Sequence, residues 1–302
     1  GASHRVPDVA VLCRRPFHSE LASFGCGQCM PCLLNRRRLW THRLMLERAK
    51  HGDASFVTLT YSDEELPADG SLDPDESQRW LKRLRERIAP RRIRYFLVGE
   101  YGDETWRPHY HVALFGMPNC LRGRTEHREK VCCQVCELVK ASWGHGGVDC
   151  RELEKETAQY LVGYVAKKMT RSTDVRLNGR VPEFARMSRK PGIGAPAMQD
   201  VLSSLSMSAS VNGMLAFSDV PTVLRHGSSV LPLGRYLRET LRKSGKFRSK
   251  EESRRARRDE LQALCTRDGT AEAVASLKLA PEIGAISKIE RKAKLLSKKG
   301  SL

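Results

Sequence analysis

Residues 91–116 read RRIRYFLVGEYGDETWRPHYHVALFG, and the way this stretch folds decides the architecture around it. Residues 91–102 read as a strand that ends at a turn, and PHYHVALFG as the next strand, closed by Gly116 and Pro118. Strands joined by so short a connection pair antiparallel. Side chains two apart on a strand share a face, so His109 and His111 project together while Tyr110 faces the other way. A tyrosine at that place has a ring to pack and a hydroxyl to hydrogen-bond.

Working outward, SFVTLTYS (residues 55–62) has the β-branched and aromatic content of a strand. A Pro/Gly/Asp-rich loop and a helix from about Asp75 to Ile88 follow it. Residues 126–143 are helical in pattern, with Val131, Val135, Leu138 and Val139 recurring on one face. Gly144 to Gly147 break that helix, VDCRE is a fourth strand, and residues 154–170 form another helix. The order strand-helix-strand-strand-helix-strand-helix is an α+β pattern built on an antiparallel central sheet with flanking helices. Three regions are expected: a cysteine knuckle and basic helix over 1–50, the sheet-bearing core over 51–180, and a basic, mostly helical extension over 181–302.

In the first region, CGQCMPC leads into a helix with Leu33, Arg37, Trp40 and Leu44 on one face and Arg36, Arg38, Arg43 and Arg48 outside. In the last, SRKPGIGAP reads as a loop and residues 201–231 as Ser-rich with weak strand signals. Basic helical stretches such as KFRSKEESRRARRDELQALC and IERKAKLLSKK come after Arg235. They are either a nucleic-acid-binding extension or a solvated end.

The charge balance narrows the function. Across 302 residues, 53 Lys and Arg stand against 35 acidic residues, a net charge of +18. Acidic surfaces would serve solubility equally well, so the excess points to a polyanionic partner, bound with salt-sensitive affinity. No stretch approaches the roughly 20 apolar residues that cross a bilayer, and no basic amphipathic helix carries an aromatic apolar face. No export signal is seen in the N-terminal residues, so a cytoplasmic protein with no membrane partner is expected. In a reducing compartment the ten cysteines point to metal binding or core packing rather than disulfides.

Three constellations carry chemistry. Two imidazoles on one strand face can be exposed strand histidines or half of a metal site. Glu100, ending the preceding strand across a tight connection, supplies a carboxylate that reaches the same face and moves the balance toward metal, with open positions for substrate oxygen and water. On the helix of residues 154–170, Tyr160 and Tyr164 lie four apart with Lys167 and Lys168 following on the same side. A tyrosine there can attack phosphorus while an ammonium stabilises the developing charge; a helix with packed tyrosines and a solvated lysine end is the other reading. Cys26, Cys29 and Cys32 have the spacing of a zinc knuckle, with Cys13 or a more distant cysteine as fourth ligand. The alternative there is a redox-inert turn capping the helix. Cys132, Cys136 and Val139 share a helix face, which favours core packing for the Cys133/Cys136 pair, with Cys120 available to join it.

Taken in order, CGQCMPC with its Arg-rich helix, FVTLTY, GEYG, RPHYHVALFG, WGHGGV, YLVGYVAKK, FARMSRKPGIG and LPLGRYLRETLR resemble blocks of the HUH endonucleases, in particular the replication initiators of microviruses, the gokushovirus-like single-stranded DNA phages. The resemblance implies a ferredoxin-like HUH nuclease core. By it, His109 and His111 are metal ligands with Glu100 the third, for Mg2+ or Mn2+. Tyr160 and Tyr164 are paired nucleophiles, Tyr164 attacking first because Tyr164 to Lys167 fits the YxxK arrangement of single-tyrosine relatives. Lys167 or Lys168 assists them. Arg36, Arg37, Arg38, Arg43, Arg107, Arg189 and Lys190 are then candidate DNA contacts. The implied activity is site-specific nicking and joining of single-stranded origin DNA through a 5′-phosphotyrosine, starting rolling-circle replication in a bacterial cytoplasm with a host helicase, polymerase and single-strand-binding protein. The competing readings are another HUH enzyme (a plasmid initiator, relaxase or transposase) and a noncatalytic single-stranded nucleic-acid-binding or packaging protein.

Overall fold

The structure is a computed structural model that describes residues 13–18, 23–120, 133–167, 172–207, 219–245 and 247–268, with the backbone alone at 164–167, 261 and 264–268. In chain order the described elements are β1 (Phe17–His18), β2 (Ser23–Phe24), α1 (Met30–Arg48), β3 (Ala54–Thr60), α2 (Pro74–Ile88), β4 (Arg94–Tyr101), β5 (Pro108–Phe115), α3 (Gln134–Trp143), β6 (Val148–Glu152), α4 (Lys155–Lys167), β7 (Phe184–Met187), α5 (Met198–Met207), β8 (Val223–His226), β9 (Ser229–Pro232), α6 (Arg235–Ser244) and α7 (Lys250–Asp268). Residues Trp40–Ala197 form one compact unit; Gly1–Leu39 and Met198–Leu302 form another.

The first of these units holds the five-stranded sheet, ordered β6-β3-β5-β4-β7, with every neighbouring pair antiparallel. Strand β3, helix α2, the β4–β5 hairpin, helix α3 and strand β6 thus follow the ferredoxin-like path, in which the fourth strand lies beside the first and the third lies between first and second. The fold is therefore the expected α+β arrangement on an antiparallel sheet.

Alternation along the strands splits the core in two. Val57, Leu59, Leu97, Tyr110, Val112 and Leu114 face α2 and α3, meeting Trp80, Leu81, Leu84, Val139 and Trp143. Phe56, Phe96, Val98, Ala113 and Phe115 face the other way and are covered by Leu44 of α1 and by Ala158, Leu161 and Val162 of α4. Helix α2 starts where Asp73 accepts hydrogen bonds from the N–H groups of Asp75 and Glu76, with Pro74 in the first turn. Glu47 of α1 is fully buried and accepts hydrogen bonds from Arg94, His51 and the N–H of Gly194.

WGHGGV owes its glycines to geometry. Gly144 ends α3 in the left-handed conformation (φ +76°), its N–H bonded to the Lys140 carbonyl at 3.0 Å. A side chain on Gly146 would collide with the backbone of Thr60 and Ser62, because this loop continues the β3 edge through Thr60 N–H to Gly147 O and Ser62 N–H to His145 O.

Two elements depart from the sequence reading. Strand β7 was not singled out: Phe-Ala-Arg-Met is too short to show alternation and is a strand only because it pairs with β4. Helix α5 replaces part of the Ser-rich stretch of weak strand signals; Ser203 and Ser206 turn their hydroxyls back onto the carbonyls of Gln199 and Leu202, which lets a helix carry them. The N-terminal part of the helix expected over 126–143 falls outside the described residues up to 132, as do Val131, Cys132 and the IERKAKLLSKK stretch.

In the second unit, α6 buries Leu237 and Leu241. Ser249 and Glu252 cap α7 reciprocally, each side chain accepting the other's N–H. Among the described residues no helix is long and apolar enough to cross a membrane.

Candidate metal centre

Strand register assembles the first cluster. Glu100 of β4 stands directly opposite His109 of β5, and Val98 opposite His111, so the carboxylate and both imidazoles share the sheet face that α4 covers. Oε1 of Glu100 lies 2.7 Å from His109 Nε2 and 3.0 Å from His111 Nε2. One ligand atom from each residue falls within 4.8 Å of the other two. Glu100 and His111 are buried and His109 is half-buried. Burial works to raise the Glu100 carboxyl, but hydrogen bonds from His109 and His111 outweigh it and hold the group down at about 2, so it is a carboxylate at neutral pH.

The far side of each ring is fixed as well. His109 Nδ1 meets the Arg107 carbonyl at 3.2 Å; a carbonyl only accepts, so Nδ1 carries the proton and the Nε2 lone pair is left for a cation. His111 Nδ1 meets the Thr58 hydroxyl, from the register position directly opposite on β3, at 3.0 Å. Phe56 stacks on the His111 ring at 5.5 Å. Two imidazoles and a carboxylate with such supporting contacts fit an octahedral divalent ion that keeps open positions.

Tyr110, between the histidines, points into the opposite core and is fully buried. Its hydroxyl donates to the Asp73 carbonyl (3.0 Å), accepts from the Asp73 N–H (3.0 Å) and pairs with the Tyr61 hydroxyl (3.2 Å). The ring is packed and the hydroxyl satisfied, as the sequence suggested. Through Asp73 the same residue fastens the start of α2 to the strand that carries the histidines.

Helix α4 lies over this face. Tyr160 is about half exposed, and its ring stands edge-on to His111 at 5.4 Å and to Phe56 at 6.2 Å. Tyr164 and Lys167 are backbone positions of the same helix whose side chains are not described, and Lys168 lies outside the described residues.

In the other unit, Cys13, Cys26, Cys29 and Cys32 bring their sulfurs within 4.8 Å of one another. Of the fourth-ligand candidates, it is Cys13 that joins the knuckle. Cys13 Sγ accepts the N–H of Cys26 and Cys26 Sγ accepts the N–H of Cys29, and the Cys13 and Cys29 sulfurs are 3.7 Å apart. Backbone N–H groups of Gln28 and Cys29 pull the Cys26 thiol down to about 6, whereas burial and neighbouring thiols push Cys32 up to about 12. A site that holds thiolates needs a counter-cation, and this one suits zinc.

The arginines divide. Arg36 and Arg38 lie on α1, and Arg189 and Lys190 are exposed beyond β7. Arg36 is exposed, whereas Arg37 and Arg38 are half-buried, Arg38 donating to the Val230 carbonyl at 2.8 Å. Arg43 donates to the Ile193 carbonyl and stacks over Trp40 at 4.1 Å. Arg107 pairs with Asp63 at 2.7 Å and donates to the Tyr61 carbonyl. Sequence reasoning did not find Thr58; its only signal was its place in the FVTLTY strand, opposite the second histidine.

Residues 54–169, from β3 to just past α4, match the family model of the replication-associated protein ORF2. This segment belongs to that family. The chain is 34% identical over 176 residues to replication-associated protein VP4 of Bdellovibrio phage phiMH2K, covering 54% of this chain and 55% of the relative. It is 33% identical over 183 residues to replication-associated protein ORF2 of Spiroplasma virus 4 (57% and 56% covered). To replication-associated protein ORF4 of Chlamydia phage 1 it is 30% identical over 163 residues (50% and 39% covered). The chain thus spans about half the length, or less, of these curated relatives. No solved structure matches. The likeness to microvirus replication-associated proteins read from the motif blocks is borne out, and the family segment contains Glu100, His109, His111, Tyr160 and Tyr164.

Proposed function

We propose that this protein initiates rolling-circle replication of a circular single-stranded DNA genome by nicking one strand at the origin and later rejoining it. The observation that carries the reading is the meeting of two buried or half-buried imidazoles and a carboxylate with a tyrosine of α4, whose ring stands 5.4 Å from His111. Glu100, His109 and His111 would hold a divalent cation, Mg2+ or Mn2+, whose chemistry when bound is to polarise the scissile phosphate. Glu100 supplies negative charge to that site, Thr58 and the Arg107 carbonyl keep the two rings turned toward it, and Phe56 closes one side against water.

A tyrosine Oη attacks phosphorus, the P–O3′ bond breaks, and the phenolic proton passes to solvent as O3′ leaves as a hydroxyl. The product is a 5′-phosphotyrosine. A lysine at 167 or 168 would steady the phenolate and the charge that builds on phosphorus. Two tyrosines four apart on one helix let one hold the 5′ end while the other cuts the regenerated origin. The released 3′-hydroxyl then attacks the first phosphotyrosine and closes a circle. Tyr164 is assigned the first cut. The basic ends of the chain would bind the DNA strand, Cys13, Cys26, Cys29 and Cys32 would hold a structural zinc, and the replication itself would use host helicase, polymerase and single-strand-binding protein in the bacterial cytoplasm.

The test is incubation of the full chain with labelled single-stranded origin DNA and Mn2+. A covalent protein–DNA adduct that survives denaturation is expected, and Tyr164→Phe should abolish the first nick. Reversible binding with no adduct would leave only a single-stranded DNA binder.

A further inference from the structure

A second group of cysteines gathers in the family segment, on the side of the sheet away from the histidines. Cys120 follows β5, its N–H bonded to the Cys150 carbonyl of β6 at 3.3 Å. Cys133 is the N-cap of α3, with extended backbone and no side-chain capping bond, and Cys136 lies in the first turn of that helix. The Cys133 sulfur stands 3.6 Å from Cys136 and 3.9 Å from Cys120, and the three sulfurs all fall within 4.8 Å of one another.

Cysteine packs in cores as a small apolar residue, and Cys120 and Cys136 do line the α2–α3 core. Packing explains two buried thiols, but not why a third, half-buried one turns its sulfur toward both. Three sulfurs cannot be satisfied by one disulfide. They can be satisfied by one ion: a zinc–sulfur bond of about 2.3 Å sets tetrahedral sulfur–sulfur edges of about 3.8 Å. The distances of 3.6 and 3.9 Å bracket that edge, and the 3.7 Å contact in the N-terminal cluster lies close to it. The C-x-x-C spacing at a helix start gives both sulfurs the positive end of the helix dipole, which favours thiolates.

We propose that Cys120, Cys133 and Cys136 hold a second zinc ion, with the fourth tetrahedral position filled by a donor outside this trio. Binding releases the thiol protons to solvent. The ion clamps the chain leaving β5 to the start of α3, so the segment between them is closed at its base. Helix α3 is thereby fixed at its first turn, as Trp143 fixes its last by donating to the Thr60 carbonyl at 2.9 Å. This inference does not depend on the nicking reading.

The full chain, expressed with zinc in the medium and purified without chelator, is analysed for zinc per chain alongside Cys133→Ser/Cys136→Ser and Cys26→Ser/Cys29→Ser. Each double variant should hold one equivalent less than the parent. Zinc content unchanged in Cys133→Ser/Cys136→Ser overturns the proposal. Because that variant could misfold, two measurements avoid it. Cobalt added to metal-free, reduced Cys26→Ser/Cys29→Ser should give thiolate-to-cobalt charge-transfer absorption, which the Glu100–His109–His111 group does not produce. Native alkylation of the parent should spare Cys120, Cys133 and Cys136 until a strong chelator is added. Absence of the charge-transfer band, equal alkylation with and without chelator, or a Cys133–Cys136 disulfide in the purified chain each contradicts it. None of these readouts involves DNA cleavage, so failure here and failure of the nicking reading are separate results.

Discussion

At the scale of single residues, the candidate centre is organised by what stands behind its ligands. Thr58 is the clearest case, because its hydroxyl meets His111 Nδ1 at 3.0 Å and so fixes the edge of the ring that faces Glu100. Thr58→Val keeps the shape of the side chain and removes the hydrogen bond. It should weaken divalent-ion binding by about 10–100-fold, measured by calorimetric Mn2+ titration, with little change in fold. Unchanged Mn2+ affinity would remove Thr58 from the site. Glu47 makes the matching case for stability. Burial works against its ionised form, yet hydrogen bonds from His51, Arg94 and the Gly194 N–H hold its carboxyl below the ordinary value. A group lowered in the folded state stabilises above its unfolded pKa and loses that contribution as pH falls through the lower folded value. Urea unfolding should therefore show stability dropping on acidification below the ordinary carboxylate range. Glu47→Ala should cost about 3 kcal/mol at neutral pH, since Arg94 is left largely buried without its carboxylate, and should flatten the acid dependence.

At the scale of elements, what the sequence disclosed follows from where the physical signal was local. The β4–β5 hairpin was legible because its strands are long, buried on both faces and separated by a short turn, and the register that opposes Glu100 to His109 follows from that turn. The helix carrying Tyr160 was legible from its apolar spacing, and its docking against the histidine face could be guessed only from the chemistry. Strand β7 was not legible, because a four-residue edge strand exists only through its partner. Helix α5 misled for the opposite reason: serine hydroxyls bonded to the preceding turn hide a helix behind a loop-like composition. Thr58 was invisible as a site residue, since any strand threonine looks alike until the register sets one beside a histidine. Cys13 was named only as one of several fourth ligands, because closure of that cluster spans a loop of chain that spacing alone does not measure.

At the scale of the whole molecule, the +18 charge and the metal centre make separable contributions. Affinity for single-stranded DNA should fall on the order of a hundredfold or more between about 50 and 200 mM salt, as counterion release requires. His109→Ala and His111→Ala should retain most of that binding, followed by fluorescence anisotropy, while losing metal-dependent cleavage. Loss of binding and cleavage together would make the histidines part of the DNA surface instead. The most direct test of the central claim is to digest the adduct formed with origin DNA and Mn2+ and to locate the modified peptide by mass spectrometry. The account predicts a nucleotide phosphate on Tyr164, or on Tyr160 after rejoining begins, and no adduct when the divalent ion is chelated. Attachment outside α4, or an adduct that forms equally well without a divalent ion, would contradict it.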